Sequence, residues 1–277
     1  MKPVSRSPAA PYPPDDHVLR DLRLWIERGD EGSCAGLELV PEMLGDRGQL
    51  RAGILGILID AAGGDMAVRS ALPSWVATSD LVYHVLRPVS AGLVEARPRL
   101  LRRTRSTLVL EVDVTGEDGP VALATMTFAI LEAKREVQRM GAGRSEPRTE
   151  FFVEGSRLRA PFLAAIGSKV LDEREGVVEL PLVPYVGNSL GALQGGVVAT
   201  LLDLAAEVAA RAATGGPCVG VDLAINYLAL GRVGPIRSRA RVLRRGPAGA
   251  LVRVELRDAG ADDRLLAVAT VTAESFG

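Results

Sequence analysis

Two long apolar segments interrupted by acidic residues dominate the hydrophobic pattern, at residues 52–70 and 195–213. The second contains no proline and is apolar on nearly every side. Asp203, Glu207 and Arg211 follow one another four residues apart in it, which is the spacing of one helix face. Each segment therefore predicts a long helix that is largely buried.

Short runs rich in Val, Leu and Ile follow each predicted helix and are separated by Gly, Pro and Asp. They cover residues 78–86, 92–102, 107–115 and 121–131 in the first half, and 218–230, 234–243, 250–258 and 265–273 in the second. These patterns are typical of strands and turns. One buried helix followed by several strands predicts an α+β module in which an antiparallel sheet wraps around the helix.

The chain also repeats itself. When Asp80 is placed over Asp222 without a gap, the Leu-Arg-Arg triplet at 101–103 falls on the same triplet at 243–245. The length of 277 residues then divides into two modules. We predict a flexible leader at 1–17, modules at 18–132 and 151–277, and a linker at 133–150. Because each sheet has edges to pair, we expect the two sheets to join into one.

Composition narrows the function classes. The 33 basic and 34 acidic residues nearly cancel, so no general attraction to nucleic acid or to an anionic membrane is expected. No apolar run approaches the ~20 residues of a membrane span, and the proline-rich start does not resemble a signal peptide. Two cysteines fit a reducing compartment, and two histidines argue against most zinc hydrolase sites. We expect a cytoplasmic protein.

A motif precedes the second helix. Asn188, Gly191, Gly195, Gly196 and Asp203 stand at the spacing of N-x-x-G-x-[LV]-H-G-G followed by an acidic residue nine positions after the histidine. This pattern resembles the PaaI-like branch of the hotdog-fold acyl-CoA thioesterases, with Gln194 in place of the histidine. The first half matches more loosely, because Gly45, Arg51 and Ala52 replace the Asn, the His and the first Gly. The resemblance covers nearly the whole chain and implies a double hotdog.

The residue types suit thioester hydrolysis on physical grounds as well. A glycine at a helix start leaves its N–H free to bind a developing oxyanion, and Gly195 is the candidate. The side-chain amide of Asn188 or Gln194 can donate a second hydrogen bond or hold water. A carboxylate in an apolar helix, Asp60 or Asp203, should have a pKa raised toward the range of a general base.

In the family that the chain resembles, each active site spans two hotdog units, which implies two unequal sites here. The first would combine Asp60 and Thr78 with Asn188, Gln194 and Gly195, and with Gly191 and Gly196 as substrate-binding residues. The second would combine Asp203 and Gly220 with Gly45, Arg51 and Ala52, and lacks both the Asn and the hydroxyl. We therefore expect only the first site to be catalytic.

The resulting prediction is an acyl-CoA thioesterase of lipid metabolism that releases free acid and coenzyme A, with Asp60 as general base or nucleophile. No metal or other cofactor is expected, and the chain would be a monomer or a homodimer. One alternative is a non-catalytic hotdog protein that binds acyl-CoA or acyl carrier protein. Another is a hydratase or dehydratase, although the catalytic His it would need is not at the helix start. A third is a purely structural duplication.

Overall fold

The computed structural model describes residues 12–29, 32–131 and 147–276. In the first half, a short helix and two strands precede the long helix, and four strands follow it. The elements are α1 (Val18–Asp21), β1 (Trp25–Gly29), β2 (Gly32–Glu38), a 3-10 helix (Pro41–Met43), α2 (Ala52–Ala71), β3 (Trp75–Val85), β4 (Leu93–Arg103), β5 (Thr107–Gly116) and β6 (Gly119–Leu131).

The second half repeats this order. Its elements are β7 (Arg148–Glu150), α3 (Phe162–Ala165), β8 (Lys169–Asp172), β9 (Val177–Leu180), a 3-10 helix (Pro184–Val186), α4 (Gly195–Thr214), β10 (Cys218–Tyr227), β11 (Ile236–Gly246), β12 (Gly249–Asp258) and β13 (Arg264–Ser275). Both predicted helices and the four predicted strands after each of them are confirmed. The strands before each helix were not predicted, because they are short and lack a sustained run of branched apolar residues.

The strands of both halves form one antiparallel sheet. Within the described residues its order is β7-β1-β2-β4-β5-β6-β3-β10-β13-β12-β11-β9-β8. The halves join where β3 pairs with β10. Polar side chains interact across the two strands at both ends of this pairing. His84 Nδ1 lies 2.7 Å from Asp222 Oδ1, and Asn226 donates to Asp80 at 2.5 Å. The predicted joining of the two sheets is thus confirmed, as is the double hotdog.

The two long helices lie against the sheet and contact each other. Gly53 of α2 faces Thr200 of α4, and Gly196 of α4 faces Ile57 of α2. A Cβ atom on Gly53 would lie 2.6 Å from the Thr200 Cα atom, closer than atoms of folded proteins approach. The start of each helix therefore rests directly on the backbone of the other, and glycine is required there.

Parts of the predicted organisation lie outside the described residues, namely residues 1–11 of the leader, residues 30, 31 and 132 of the first module, residues 133–146 of the linker and residue 277. The last residues of the predicted linker form β7, which pairs with β1 of the first half. The predicted domain boundaries stay a prediction. Among the described helices, none combines the length and apolar character needed to cross a membrane.

The helix contact yields a stability prediction. Gly53→Ala should lower the free energy of unfolding by about 1–3 kcal/mol, because the new methyl group overpacks against the α4 backbone. Gly64→Ala is the matched control in the same helix. A Cβ there meets nothing within 4 Å, so the better helix propensity of alanine should stabilise by up to about 1 kcal/mol. Urea denaturation of both variants measures the difference, and equal effects would contradict a close contact at Gly53.

Candidate functional site

Asp60 lies where the two halves meet. It belongs to α2, and Thr78 on the adjacent strand β3 donates a hydrogen bond from its hydroxyl to Asp60 Oδ1 at 3.3 Å. From the other half, Gln194 Nε2 donates to Asp60 Oδ2 at 3.5 Å. The carboxylate is therefore held by residues of both halves, and these three predicted site residues come together in the structure.

The surroundings of Asp60 make its carboxyl group less acidic. Burial raises its pKa to about 6, and the hydrogen bonds from the Thr78 hydroxyl and the Gly196 N–H oppose that rise. Close to neutral pH the group can therefore both accept and release a proton, which is the property a general base needs.

The start of α4 leaves one backbone donor available. Gln194 precedes the helix and caps it, since its Oε1 accepts from the Val197 N–H at 2.9 Å and its carbonyl accepts from the Val198 N–H at 3.0 Å. The Gly196 N–H donates to Asp60. The Gly195 N–H has no acceptor within the described parts of the chain. Gly195 is the first residue of α4, at the positive end of the helix dipole, where an N–H can bind a carbonyl oxygen.

Gly195 also keeps space open beside the carboxylate. A Cβ atom on this residue would lie 2.8 Å from Asp60 Oδ2, so any side chain would press on the acid. The bare glycine places a free donor and a carboxylate side by side. A substrate whose carbonyl oxygen accepted from the Gly195 N–H would place its carbonyl carbon on the side of Asp60.

The Asn188 side chain stabilises the loop before α4. Its Oδ1 accepts from the Leu190 and Ala192 N–H groups at 2.9 and 3.0 Å, and its Nδ2 donates to the Leu193 carbonyl at 3.4 Å. Gly191, in the same loop, has a φ of +67°, which favours glycine. The described contacts do not bring Asn188 to Asp60, so its predicted part in polarising a carbonyl stays a prediction.

The first half supports this loop from the N-terminal side. His17 Nε2 lies 2.8 Å from the Gly187 carbonyl, and the Tyr185 hydroxyl donates to Asp21 of α1 at 3.0 Å. The other histidine, His84, is exposed and pairs with Asp222 at the seam of the sheet. Neither histidine contacts Asp60.

Sequence reasoning missed Tyr227. Its hydroxyl donates to the Gly195 carbonyl at 3.1 Å, on the same peptide group whose N–H belongs to Gly196 and bonds to Asp60. Tyr83 binds the Ala52 carbonyl at 2.9 Å in the other half. The aromatic residue at the end of β10 was visible in the sequence, but its partner is a backbone atom that no sequence pattern reveals.

The second predicted site has the same backbone arrangement as the first but different side chains. Asp203 Oδ2 accepts from the Gly53 N–H at 2.9 Å, as Asp60 does from Gly196. Arg51 takes the position of Gln194, and its guanidinium lies 3.2 Å from the Glu207 carboxylate. The Gly220 N–H donates to the other Glu207 oxygen at 3.3 Å. An ion pair thus stands where the first site has a neutral amide.

Glu207 was not among the predicted site residues, although its position one turn after Asp203 on an apolar helix was a signal. Burial raises the pKa of both carboxyl groups, and the neighbouring Asp203 raises the pKa of Glu207 further, while Arg51 opposes both shifts. Gly220 stands where the first site has Thr78 and supplies no hydroxyl. Asp203 Oδ1 accordingly has no hydrogen-bond partner among the described residues.

A cavity of about 450 Å³ lies beside the second site. It opens between the loop that precedes α2 and the start of β10, and its walls include Arg47, Gln49, Leu55, Arg87 and Gly220. Among the residues that the structure describes, no group of three or more His, Cys, Asp or Glu side chains is placed to hold a metal ion.

Comparison with protein families matches this chain to the thioesterase superfamily model. The match covers residues 52–123 and 190–265, which together are more than half of the chain. Each segment contains one long helix and the strands that follow it. No curated protein sequence matches significantly.

Solved structures resemble the whole chain at low sequence identity. A protein assigned as a thioesterase II from Thermobifida fusca YX is 15% identical, with 91% of this chain and 95% of that chain covered and a TM-score of 0.62. An assigned thioesterase from Novosphingobium aromaticivorans DSM 12444 is 13% identical, with 91% and 98% covered and a TM-score of 0.63. A conserved protein with the hot dog fold from Alicyclobacillus acidocaldarius is 14% identical, with 94% and 98% covered and a TM-score of 0.58. These likenesses concern the fold.

The contacts of Asp60 predict how its titration responds to mutation. Thr78→Val removes a hydrogen bond to the carboxylate, so the pKa of Asp60 should rise above its value of about 6. Ser79→Ala is the control on the same strand, because the Ser79 hydroxyl donates to the Thr127 carbonyl instead. Carboxyl carbon NMR of both variants across pH 4–9 measures the shift. A pKa that is unmoved by Thr78→Val would show that the hydroxyl does not bind the carboxylate.

Proposed function

Since the chain belongs to the thioesterase superfamily, we propose that it hydrolyses an acyl thioester to a free acid and a thiol at the first composite site. One observation carries the proposal: the Asp60 carboxylate is held by Thr78 and Gln194 beside the free N–H of Gly195. The two segments that match the family model contribute both sides of this arrangement.

The proposed reaction begins with the thioester carbonyl oxygen bound at the Gly195 N–H. As the carbonyl carbon is attacked, negative charge develops on that oxygen, and the backbone donor and the α4 dipole stabilise it. The C–S bond then breaks, and the sulfur leaves as a thiolate that takes up a proton. A backbone donor suits this role because it is fixed before the substrate arrives.

Asp60 supplies the attacking group by one of two routes. As a general base it takes a proton from water, whose oxygen bonds to the carbonyl carbon. As a nucleophile it attacks the carbon itself, and water hydrolyses the resulting anhydride. Both routes need the ionised carboxylate. The Thr78 hydroxyl fixes one of its oxygens, and Gln194 Nε2 has a second hydrogen available for water or substrate.

Finer features of the function are part of the same proposal. Coenzyme A is the proposed carrier of the acyl group, and the motif from Asn188 to Asp203 supports a place in the PaaI-like branch. The groups named above complete the reaction without a metal or redox cofactor. We propose a monomer or a homodimer, because one chain already contains both halves of the site.

The second site is proposed to lack this activity. Arg51 and Glu207 occupy the place of the neutral amide, and Gly220 supplies no hydroxyl to Asp203. Without that hydroxyl, Asp203 lacks the donor that holds the first carboxylate in position.

Matched substitutions of the two carboxylates test this assignment. Asp60→Asn keeps an oxygen that can accept from the Gly196 N–H but removes the base, so kcat/KM should fall by about 10²–10⁴-fold. Asp203→Asn makes the same change in the second site and should leave kcat/KM within about twofold of the parent, since that site performs no turnover. Free-thiol release from a panel of acyl-CoA substrates measures both.

Three outcomes of this experiment would count against the proposal. Loss of turnover in the Asp203 variant alone would move catalysis to the second site. Saturable binding of acyl-CoA without thiol release would favour a binding protein. The absence of both binding and release would favour a structural duplication.

The pKa of Asp60 predicts the pH dependence. Because the ionised form reacts and its pKa lies near 6, kcat/KM should fall about tenfold per pH unit below that value and level off above it. In the Thr78→Val variant this decrease in kcat/KM should begin at a higher pH, because the pKa of Asp60 should be higher there. A profile that is flat from pH 5 to 8 would exclude Asp60 as the group that must ionise.

A further inference from the structure

A chain of hydrogen bonds leads from a tyrosine hydroxyl to the carboxylate of the first site. Tyr227 is the last residue of β10, and its hydroxyl donates to the Gly195 carbonyl at 3.1 Å. The N–H of the same peptide group belongs to Gly196 and donates to Asp60. Two hydrogen bonds through one peptide group therefore connect the phenol with the carboxylate.

The second site contains a similar chain. The Tyr83 hydroxyl donates to the Ala52 carbonyl at 2.9 Å, and the N–H of that peptide group, which belongs to Gly53, donates to Asp203. In the gapless alignment of the two halves, Tyr227 does not fall over Tyr83. The bond to the first carbonyl of each long helix is therefore made from a different strand position in each half, and it is not a simple copy of the duplicated sequence.

The start of α4 needs contacts of this kind to be rigid. Its first two residues are Gly195 and Gly196, and glycine has more backbone freedom than any other residue. Three side chains restrict the backbone there. Gln194 caps the helix, Thr200 donates to the Gly196 carbonyl at 3.0 Å, and Tyr227 holds the Gly195 carbonyl. The last of these contacts acts on the residue whose N–H faces the proposed substrate position.

We propose that Tyr227 is a positioning residue of the first site, which acts on Asp60 and on the Gly195 N–H through the peptide group between Gly195 and Gly196. The hydroxyl polarises the Gly195 carbonyl, so the Gly196 N–H becomes a stronger donor, since linked hydrogen bonds strengthen each other by roughly 10–30%. A stronger donor favours the ionised form of Asp60. The inference rests on the proposed function for the roles of Asp60 and Gly195, whereas the hydrogen-bond chain is independent of any activity.

The surroundings of Asp60 allow this effect to be measured. The polar groups that act on it within the described chain are Thr78 of β3, Gln194 and Gly196 at the start of α4, and Tyr227 of β10. None of them is charged near neutral pH, because burial and the nearby Asp60 hold the pKa of the Tyr227 hydroxyl well above its usual value. The titration of Asp60 therefore reports on the hydrogen bonds to it.

Carboxyl carbon NMR across pH 4–9 tests the chain without any substrate. Tyr227→Phe removes only the hydroxyl and should raise the pKa of Asp60 by roughly half a unit. Replacement of Tyr227 by 3-fluorotyrosine should lower that pKa, because fluorine withdraws electrons and makes the hydroxyl a stronger donor. A phenol that only fills space would not produce shifts in opposite directions.

Tyr83→Phe is the matched control, because it removes the corresponding hydrogen bond at the second site. It should leave the pKa of Asp60 at the parent value and raise the pKa of Asp203. Thermal unfolding checks that both phenylalanine variants fold, and their losses of stability should be similar, since each loses one hydrogen bond from a tyrosine to a backbone carbonyl.

Turnover provides a second measurement. In Tyr227→Phe, kcat/KM should fall about tenfold even above pH 8, where Asp60 is ionised in both proteins, because the Gly195 N–H is less firmly placed. Tyr83→Phe should keep kcat/KM within about twofold of the parent. Unchanged turnover above pH 8 in Tyr227→Phe would overturn the part of Tyr227 in placing the Gly195 N–H.

The effect on Asp60 is overturned if Tyr227→Phe does not move its pKa, or if Tyr83→Phe moves it equally. A chain that releases no thiol from any acyl-CoA, yet shows the opposite pKa shifts, would contradict the proposed function and support the action of Tyr227 on Asp60. The two failures can therefore be distinguished.

Discussion

The bond between a carboxylate of one long helix and a backbone N–H at the start of the other is the interaction on which the molecule depends. Asp60 of α2 accepts from Gly196, and Asp203 of α4 accepts from Gly53. The first N–H groups of a helix have no partner within it. Each helix therefore supplies the acceptor that the other needs, and the helices must approach closely for the bond to form. The two glycines make that approach possible.

The same reciprocal arrangement creates two sites that side chains alone distinguish. In the first, a neutral amide and a hydroxyl surround Asp60. In the second, an ion pair between Arg51 and Glu207 fills the corresponding space, and Asp203 is left with an unpaired oxygen. In both sites the carboxyl group accepts a hydrogen bond from the start of the opposite helix. The different neighbours explain why their chemistry can diverge without any change of fold.

The sequence predicted the repeat, both long helices, the strands after them and the joined sheet. These features follow from sustained local patterns and from the self-similarity of the chain. It also grouped Asp60, Thr78 and Gln194, because in the family that the chain resembles each active site takes residues from two units. The sequence could not reveal three contacts. Asn188 hydrogen-bonds to the backbone of its own loop, Tyr227 donates to a backbone carbonyl, and Glu207 forms an ion pair with Arg51. Those contacts depend on side-chain direction, and the pair of Arg51 and Glu207 joins residues 156 positions apart.

The position of Asp60 is better explained by function than by stability. Because burial raises its pKa from 3.8 to about 6, the folded state holds the proton more tightly than the unfolded chain does. The free energy of unfolding therefore decreases as the pH rises through that interval, and above it the ionised group costs stability at every pH. An asparagine could accept from Gly196 without this cost. A carboxylate that is held ionised at neutral pH, against its own burial and beside an unpaired N–H, is instead suited to attack an electrophile or to activate water.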